Sequence, residues 1–237
     1  MALPFFYLSA YDPGDSEIVL DEDNSRHIVQ VLRMQRGERL QLTDGKGHQL
    51  TAVIEDDHKK RCRVRVQSID TLPPHPRKVT LAISLLKNAS RFEWFLEKAT
   101  EIGVHTVVPL LCERTERQHA RLDRWRSILI SAMLQSQQSW LPVLQDPASF
   151  EQTIATATQG QRFIAHCLTS PSPTASLTTA RHPEVGDPLL LIGPEGDFSL
   201  KEVEAALSKG FVPVTLGENR LRTETAGVVA ATLLCVE

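Results

Sequence analysis

The chain has 237 residues, 41% of them hydrophobic, and a formal net charge of −3. That length allows one large domain or two small ones around a substantial core. The charge excludes a globally basic nucleic-acid-binding protein, so any polyanion site must be a local patch.

Four scattered cysteines, Cys62, Cys112, Cys167 and Cys235, form no CxxC pair. Reduced and mostly buried thiols in a cytoplasmic protein are expected. The first residues lack a basic region and carry only a short apolar run. No later stretch reaches the ~18 apolar residues of a membrane span. Neither a leader peptide nor a membrane contact is expected.

Residues 1–72 read as a β-rich domain. Strands are predicted at 16–20, 39–42, 49–55 and 61–69, and the Asp44-Gly45 pair marks a hairpin turn between the second and third. One helix is predicted over 24–34. On the last strand Arg61, Arg63 and Arg65 point to one side, and Cys62, Val64 and Val66 to the core. The arginines read either as a solvated face or as a stripe that tracks RNA phosphates, which His27 and Arg33 would extend. Acidic residues Glu55, Asp56 and Asp57 just before the stripe oppose the second reading. The segment Leu72-Pro73-Pro74-His75-Pro76 cannot continue a helix or a central strand, and it is the predicted domain boundary.

Residues 77–237 alternate strand and helix. Strands are predicted at 79–86, 104–111, 162–167, 189–193 and 211–216. Helices are predicted at 90–102, 121–138, 150–158, 200–209 and 223–236. Ser90 with Glu93, and Ser199 with Glu202, have the spacing of capping boxes. Gly103 is placed to close the first of these helices. Residues 169–188, rich in Ser, Thr and Pro, read as a surface loop. The pattern predicts an α/β domain with a mostly parallel sheet and helices on both faces. The last helix is apolar nearly all round, so it is buried either within the monomer or against a second copy.

Two stretches stand out, LLLIGPEG at 189–196 and LGENRLRTETA at 216–226. Each breaks from an apolar strand into a polar or Gly-rich loop that leads to a helix, which is how parallel sheets build ligand sites. GPEG is neither a Walker loop nor GxGxxG, which disfavours a nucleoside triphosphate or a dinucleotide. No HExxH, GxSxG or Cys/His cluster is present, and no metal is expected. Thr223 or Thr225 is a candidate N-cap, and Glu224 suits the first turn of a helix. Those roles leave Arg222 unexplained; it is suited to a phosphate, a carboxylate or a base edge.

IGPEGDFSLKEVEAA followed by LGENRLRTETA resembles the signature of the RsmE-type 16S ribosomal RNA methyltransferases, members of the SPOUT class of trefoil-knotted enzymes. The resemblance extends to His27-Ile28-Val29-Gln30-Val31-Leu32-Arg33 with Gly37-Glu38, to Glu97-Lys98-Ala99-Thr100-Glu101-Ile102-Gly103-Val104, to Glu113-Arg114-Thr115 and to Gln135-Ser136. It covers essentially the whole chain. It implies a PUA-like β-barrel over 1–72 that grips RNA and a knotted α/β methyltransferase domain over 77–237, active as a homodimer. The implied reaction is methylation of N3 of a specific uridine in 16S ribosomal RNA of the small subunit, with S-adenosylmethionine as donor.

The implied donor site comprises His166 after one strand and Ile192, Gly193, Pro194, Glu195 and Gly196 after a second. Leu216, Gly217, Leu221, Arg222, Thr223 and Ala226 follow the third. Arg222 is the expected anion-stabilising residue. Glu224 is the first candidate base, with Glu101 or water as others. Three departures from the family pattern stand in the sequence. Asp197 replaces a second Gly after GPEG. Gln137-Gln138 replaces a Gly-Arg pair. Glu218-Asn219-Arg220 replaces a proline, an arginine and an apolar residue. Two other functions stay open: a knotted methyltransferase acting on another RNA position or on a ribose 2′-hydroxyl, and a catalytically silent RNA-binding assembly protein.

Overall fold

In a computed structural model of the chain, the structure describes residues 3–116, 119–167, 175–182 and 184–236. The chain divides into two compact units, Met1–Pro74 with Met133–Leu141, and His75–Ala132 with Pro142–Glu237.

The first unit carries a five-stranded sheet in the order β1 (Phe5–Tyr7), β3 (Arg39–Thr43), β4 (His48–Asp56), β5 (Arg63–Thr71) and β2 (Glu17–Val19). Its pairs are antiparallel except β1 with β3. Leu40, Leu42, Leu50, Ala52, Ile54 and Val64 face inward by period-two alternation and are fully buried. The hairpin joining β3 to β4 turns at Gly45 and Gly47, both with positive φ. β1 was not predicted, since three residues are too few for periodicity to show.

The single helix expected over 24–34 is instead two pieces. Asp21 caps α1 (Glu22–Arg26) through its bond from the Asn24 amide, and a π-helical turn follows over His27–Val31. The wider turn brings the amide of Leu32 to the carbonyl of His27 and leaves Ile28 fully buried. Arg33, at φ 57°, then breaks the helix. β5 begins at Arg63, so Arg61 lies in the preceding turn rather than on the strand.

The second unit opens with β6 (Thr80–Ser84), α2 (Ala89–Ile102), β7 (Thr106–Leu111) and α3 (Leu122–Gln135), whose residues from Met133 on are counted with the first unit. The short β8 (Val143–Leu144) and β9 (Ala148–Ser149), α4 (Phe150–Thr156) and β10 (Gln161–Ala165) come next. After them stand β11 (Ala175–Ser176), α5 (Leu177–Ala180), β12 (Pro188–Ile192), α6 (Leu200–Ser208), β13 (Val212–Thr215) and α7 (Thr223–Cys235). Of the predicted loop 169–188, residues 169–174 and 183 lie outside the described residues. Its remainder holds β11, α5 and the first residue of β12, anchored by the fully buried Leu177.

The sheet order is β11-β13-β10-β12-β6-β7-β8, all parallel, with β9 also on β7. Every residue of β6 and β12 is buried, as central parallel strands covered on both faces require. Side chains alternate across such a strand. Ala82 packs into the cluster containing Phe150 and Ile154 of α4 with Val203 and Ala206 of α6. Ile83 points the other way, to Gly227 of α7, which also meets Phe95 of α2.

Two predicted caps resolve differently, and one cap is new. α2 is capped by Asn88, whose side chain takes the Ser90 amide; Glu93 instead binds Arg124 at 2.7 and 2.8 Å. α7 has Arg222 at the N-cap position with no side-chain cap, because the Thr223 hydroxyl is used elsewhere. α4 carries a capping box, Ser149 with Gln152, that was not predicted from the sequence. Gly103 closes α2 at φ 98°, and Ser199 with Glu202 caps α6.

Candidate donor-binding site

β10, β12 and β13 are adjacent and parallel, so the loops after them meet at one edge of the sheet. β13 lies on the far side of β10 from β12, yet the next helix, α7, packs on β12 and β6. Residues 216–222 therefore run back across the strand ends. The three loops enclose a pocket of about 760 Å³ lined by residues 165–167, 192–195, 197 and 214–223.

Of the residues expected at a donor site, His166, Ile192, Gly193, Pro194, Glu195, Leu216, Gly217, Leu221, Arg222 and Thr223 line this pocket. Gly196 does not. Its carbonyl takes a bond of 2.7 Å from Nη1 of Arg114. Ala226 is buried within α7 and is not part of the lining. Glu224 also lies off the lining, 7% exposed, with its Oε1 3.6 Å from Nε of Arg91. Glu101 is held by Lys98 at 2.9 Å and is not part of the wall.

The walls are tied together. The Thr223 hydroxyl donates to the Gly193 carbonyl at 3.0 Å in a buried bond, which fixes the start of α7 to the loop after β12. A Cβ at Gly193 would stand 3.1 Å from the Phe198 ring, so the absence of a side chain allows the close loop. Glu195 accepts from the Lys87 amide at 3.3 Å. Asp197 sits at φ 63°, and its carboxylate accepts from the Cys167 and Phe198 amides, each at 2.8 Å. From the other side Arg114 also reaches the Phe198 carbonyl at 3.4 Å. The sequence held the motif containing Arg114, but its role as a brace depends on a contact 82 residues away.

Both ring nitrogens of His166 are buried, with no hydrogen-bond partner among the described residues. Buried polar atoms are normally satisfied, so two unpaired nitrogens in a pocket wall point to a polar ligand. Arg222 is exposed at the pocket wall. Among the described residues its guanidinium makes no ion pair or hydrogen bond, which leaves it available to a substrate. No cluster suited to a metal ion occurs among the described residues.

The thiols divide by position. Burial pushes Cys112 and Cys235 up to about 12 and Cys62 up to about 11, so all three stay protonated at neutral pH. Cys167 is the exposed exception to mostly buried thiols, because it lies in the loop two residues past the end of β10.

In the first unit Arg61, Arg63 and Arg65 are exposed while Cys62 and Val64 are fully buried. The stripe is partly neutralised. Nε of Arg65 bonds Glu55 at 2.6 Å, and Glu17 on β2 stands opposite Arg65 in the register. His27 is exposed and packs edge-on against Phe6 at 5.7 Å; Arg33 is exposed.

Comparison with known proteins agrees with this architecture. Residues 73–235 match the model of an RNA methyltransferase domain, and residues 20–67 that of an RNA methyltransferase PUA domain. A Synechocystis protein named ribosomal RNA small subunit methyltransferase E is 32% identical over 91% of this chain and 72% of its own length. A crystal structure of a probable rRNA-methyltransferase from Porphyromonas gingivalis is 43% identical, covers 98% of each chain and has a TM-score of 0.90. A Neisseria gonorrhoeae ribosomal RNA small subunit methyltransferase E, solved with S-adenosyl methionine bound, is 31% identical with a TM-score of 0.86, covering 97% of this chain and 95% of its own. The fold is a PUA-like β-domain followed by an α/β domain of the SPOUT class.

Proposed function

The chain belongs to the ribosomal RNA small subunit methyltransferase E family, and from that premise we propose that it methylates N3 of a uridine in 16S ribosomal RNA, with S-adenosylmethionine as donor. The observation that carries the reading is the pocket at the ends of β10, β12 and β13, with the unpaired His166 nitrogens in its wall and Arg222 beside it.

The residues fit the donor's chemistry. S-adenosylmethionine has an adenine, a ribose and an amino-acid end but no phosphate. Backbone groups of the loops around Gly193 and Gly217, with His166, offer partners for the base and sugar; Ile192, Leu216 and Leu221 supply apolar walls. The bound donor supplies an electrophilic methyl group. Uridine N3 is protonated at neutral pH, so negative charge develops on the base as the proton leaves. We assign to Arg222 the orientation of the uracil and the stabilisation of that charge. Glu224 is proposed to take the N3 proton through a bridging water, since its own carboxylate is turned toward Arg91.

The proposed domain roles are RNA gripping by residues 1–72 and methyl transfer by 77–237. The active form is proposed to be a homodimer working in the cytoplasm, where ribosomal subunits are modified. Val236 at the end of α7 is 52% exposed and Trp94 on α2 44%, apolar surface that a second copy would cover. Calorimetric titration with S-adenosylmethionine tests the donor assignment, and sedimentation of the same sample tests the assembly. Saturable binding by a dimer is expected. Folded protein free of co-purified donor that takes up none would sink the assignment; a monomer at micromolar concentration would sink the dimer.

For RNA binding, replacing Arg61 and Arg63 with alanine is expected to weaken affinity and flatten its salt dependence, by about one unit of slope for each phosphate no longer neutralised. Arg65→Ala should change the slope least of the three, because Glu55 already neutralises it. A slope unchanged in the double variant would remove this surface from RNA binding.

A further inference from the structure

We propose that Asp197 is a positioning residue that sets the shape of the donor pocket by clasping the loop after β10 to the loop after β12. The inference rests on that pocket being the donor site, as proposed above. Four observations carry it. Asp197 lines the pocket. Its backbone, at φ 63°, lies in the left-handed region that non-glycine residues seldom adopt. The amide of Asp197 bonds the Pro194 carbonyl at 2.9 Å, closing a tight turn that aims the carboxylate across the gap. That carboxylate then accepts from Phe198 on its own loop and from Cys167 on the facing loop, both at 2.8 Å.

Glycine would satisfy the backbone at this position without strain, but it has no side chain to span the loops. An aspartate at a strained angle, with each carboxylate oxygen on a backbone N–H, is what a clasp requires. The loop is braced independently on its other side, where Arg114 holds the Gly196 and Phe198 carbonyls. Loss of Asp197 therefore frees the wall beside His166 and Cys167 while the rest of the loop stays anchored.

The consequence separates pocket shape from fold stability. In Asp197→Gly, relief of backbone strain offsets the lost hydrogen bonds, so the melting temperature should stay within about 3 °C of wild type. Affinity should fall about tenfold for both S-adenosylmethionine and its product S-adenosylhomocysteine, which lacks the sulfonium charge, because a preorganised wall is lost. Asp197→Asn keeps one acceptor and should lose only about threefold. Amide exchange at Cys167 in the ligand-free protein should speed up in Asp197→Gly, a readout independent of donor chemistry.

Wild-type titration comes first. If the wild-type chain binds neither ligand, the donor reading of the pocket fails, and this role for Asp197 fails with it. With wild-type binding intact, unchanged affinity in Asp197→Gly would overturn the clasp alone. So would affinity and melting temperature falling together, which would mark a general structural role. A loss confined to S-adenosylmethionine would also overturn it, since that would show the carboxylate acting on the donor's positive charge.

Discussion

Arg222→Ala is expected to lower methyl transfer about a thousandfold while leaving a folded protein. Arg222 occupies the N-cap position of α7 with an extended backbone, and its side chain makes no capping bond. Its guanidinium has no described partner, so truncation leaves no buried group unsatisfied. Stability should therefore change little. Donor affinity should also survive, because Thr223 fixes the start of α7 through Gly193 and not through Arg222. Arg222→Lys should recover little activity, since an ammonium cannot reproduce the planar fork. Single-turnover transfer to RNA, measured beside donor titration and thermal unfolding, checks all three statements. Near-normal turnover in Arg222→Ala would remove this residue from the mechanism.

The second large effect is on stability. Gly227→Val is expected to destabilise the second unit by about 3 kcal/mol through overpacking. For a chain of this size that lowers the melting temperature by roughly 9 °C. A Cβ at Gly227 would lie 2.5 Å from the Phe95 ring and 2.9 Å from Ile83. Phe95 and Ile83 are fully buried, so neither can swing away. Gly227→Ala makes the test sharper. On an open helix face, replacing Gly with Ala gains about 1 kcal/mol. Here the sign should reverse. A raised melting temperature in Gly227→Ala would mean that α7 and α2 do not approach so closely. Because α7 begins at the pocket, the valine variant should also weaken donor binding.

The three departures from the family pattern show what sequence reading could and could not reach. Asp197 and Gln137 both replace expected glycines, and both have positive φ, 63° and 56°. The backbone thus keeps a glycine-like conformation at both positions, and the substitution is accommodated as strain rather than as a change of fold. The sequence marked Asp197 only as a replacement for a second Gly after GPEG. Only the tertiary structure shows its carboxylate engaged by two backbone amides. Glu218, Asn219 and Arg220 line the pocket, and nothing in the structure explains their replacement of the usual residues.

Local chemistry was legible where it acts over a few residues. The β-hairpin at Asp44-Gly45, the αL cap at Gly103 and the capping box at Ser199 all depend on neighbours in sequence. So does the all-buried character of β6 and β12, written as a mostly apolar run in the first and a continuous one in the second. These patterns by themselves determined an α/β domain after a β-rich one, and two loops fit for a ligand. Tertiary structure decided the rest, because each remaining feature joins residues far apart in the chain. Thr223 gave up capping for a carbonyl 30 residues away, and Arg65 met Glu55 across a strand pair. The unpaired nitrogens of His166 became informative only once folding had buried them in a pocket wall. Sequence periodicity records which side of an element is apolar. It does not record which distant group will compete for a given donor or acceptor.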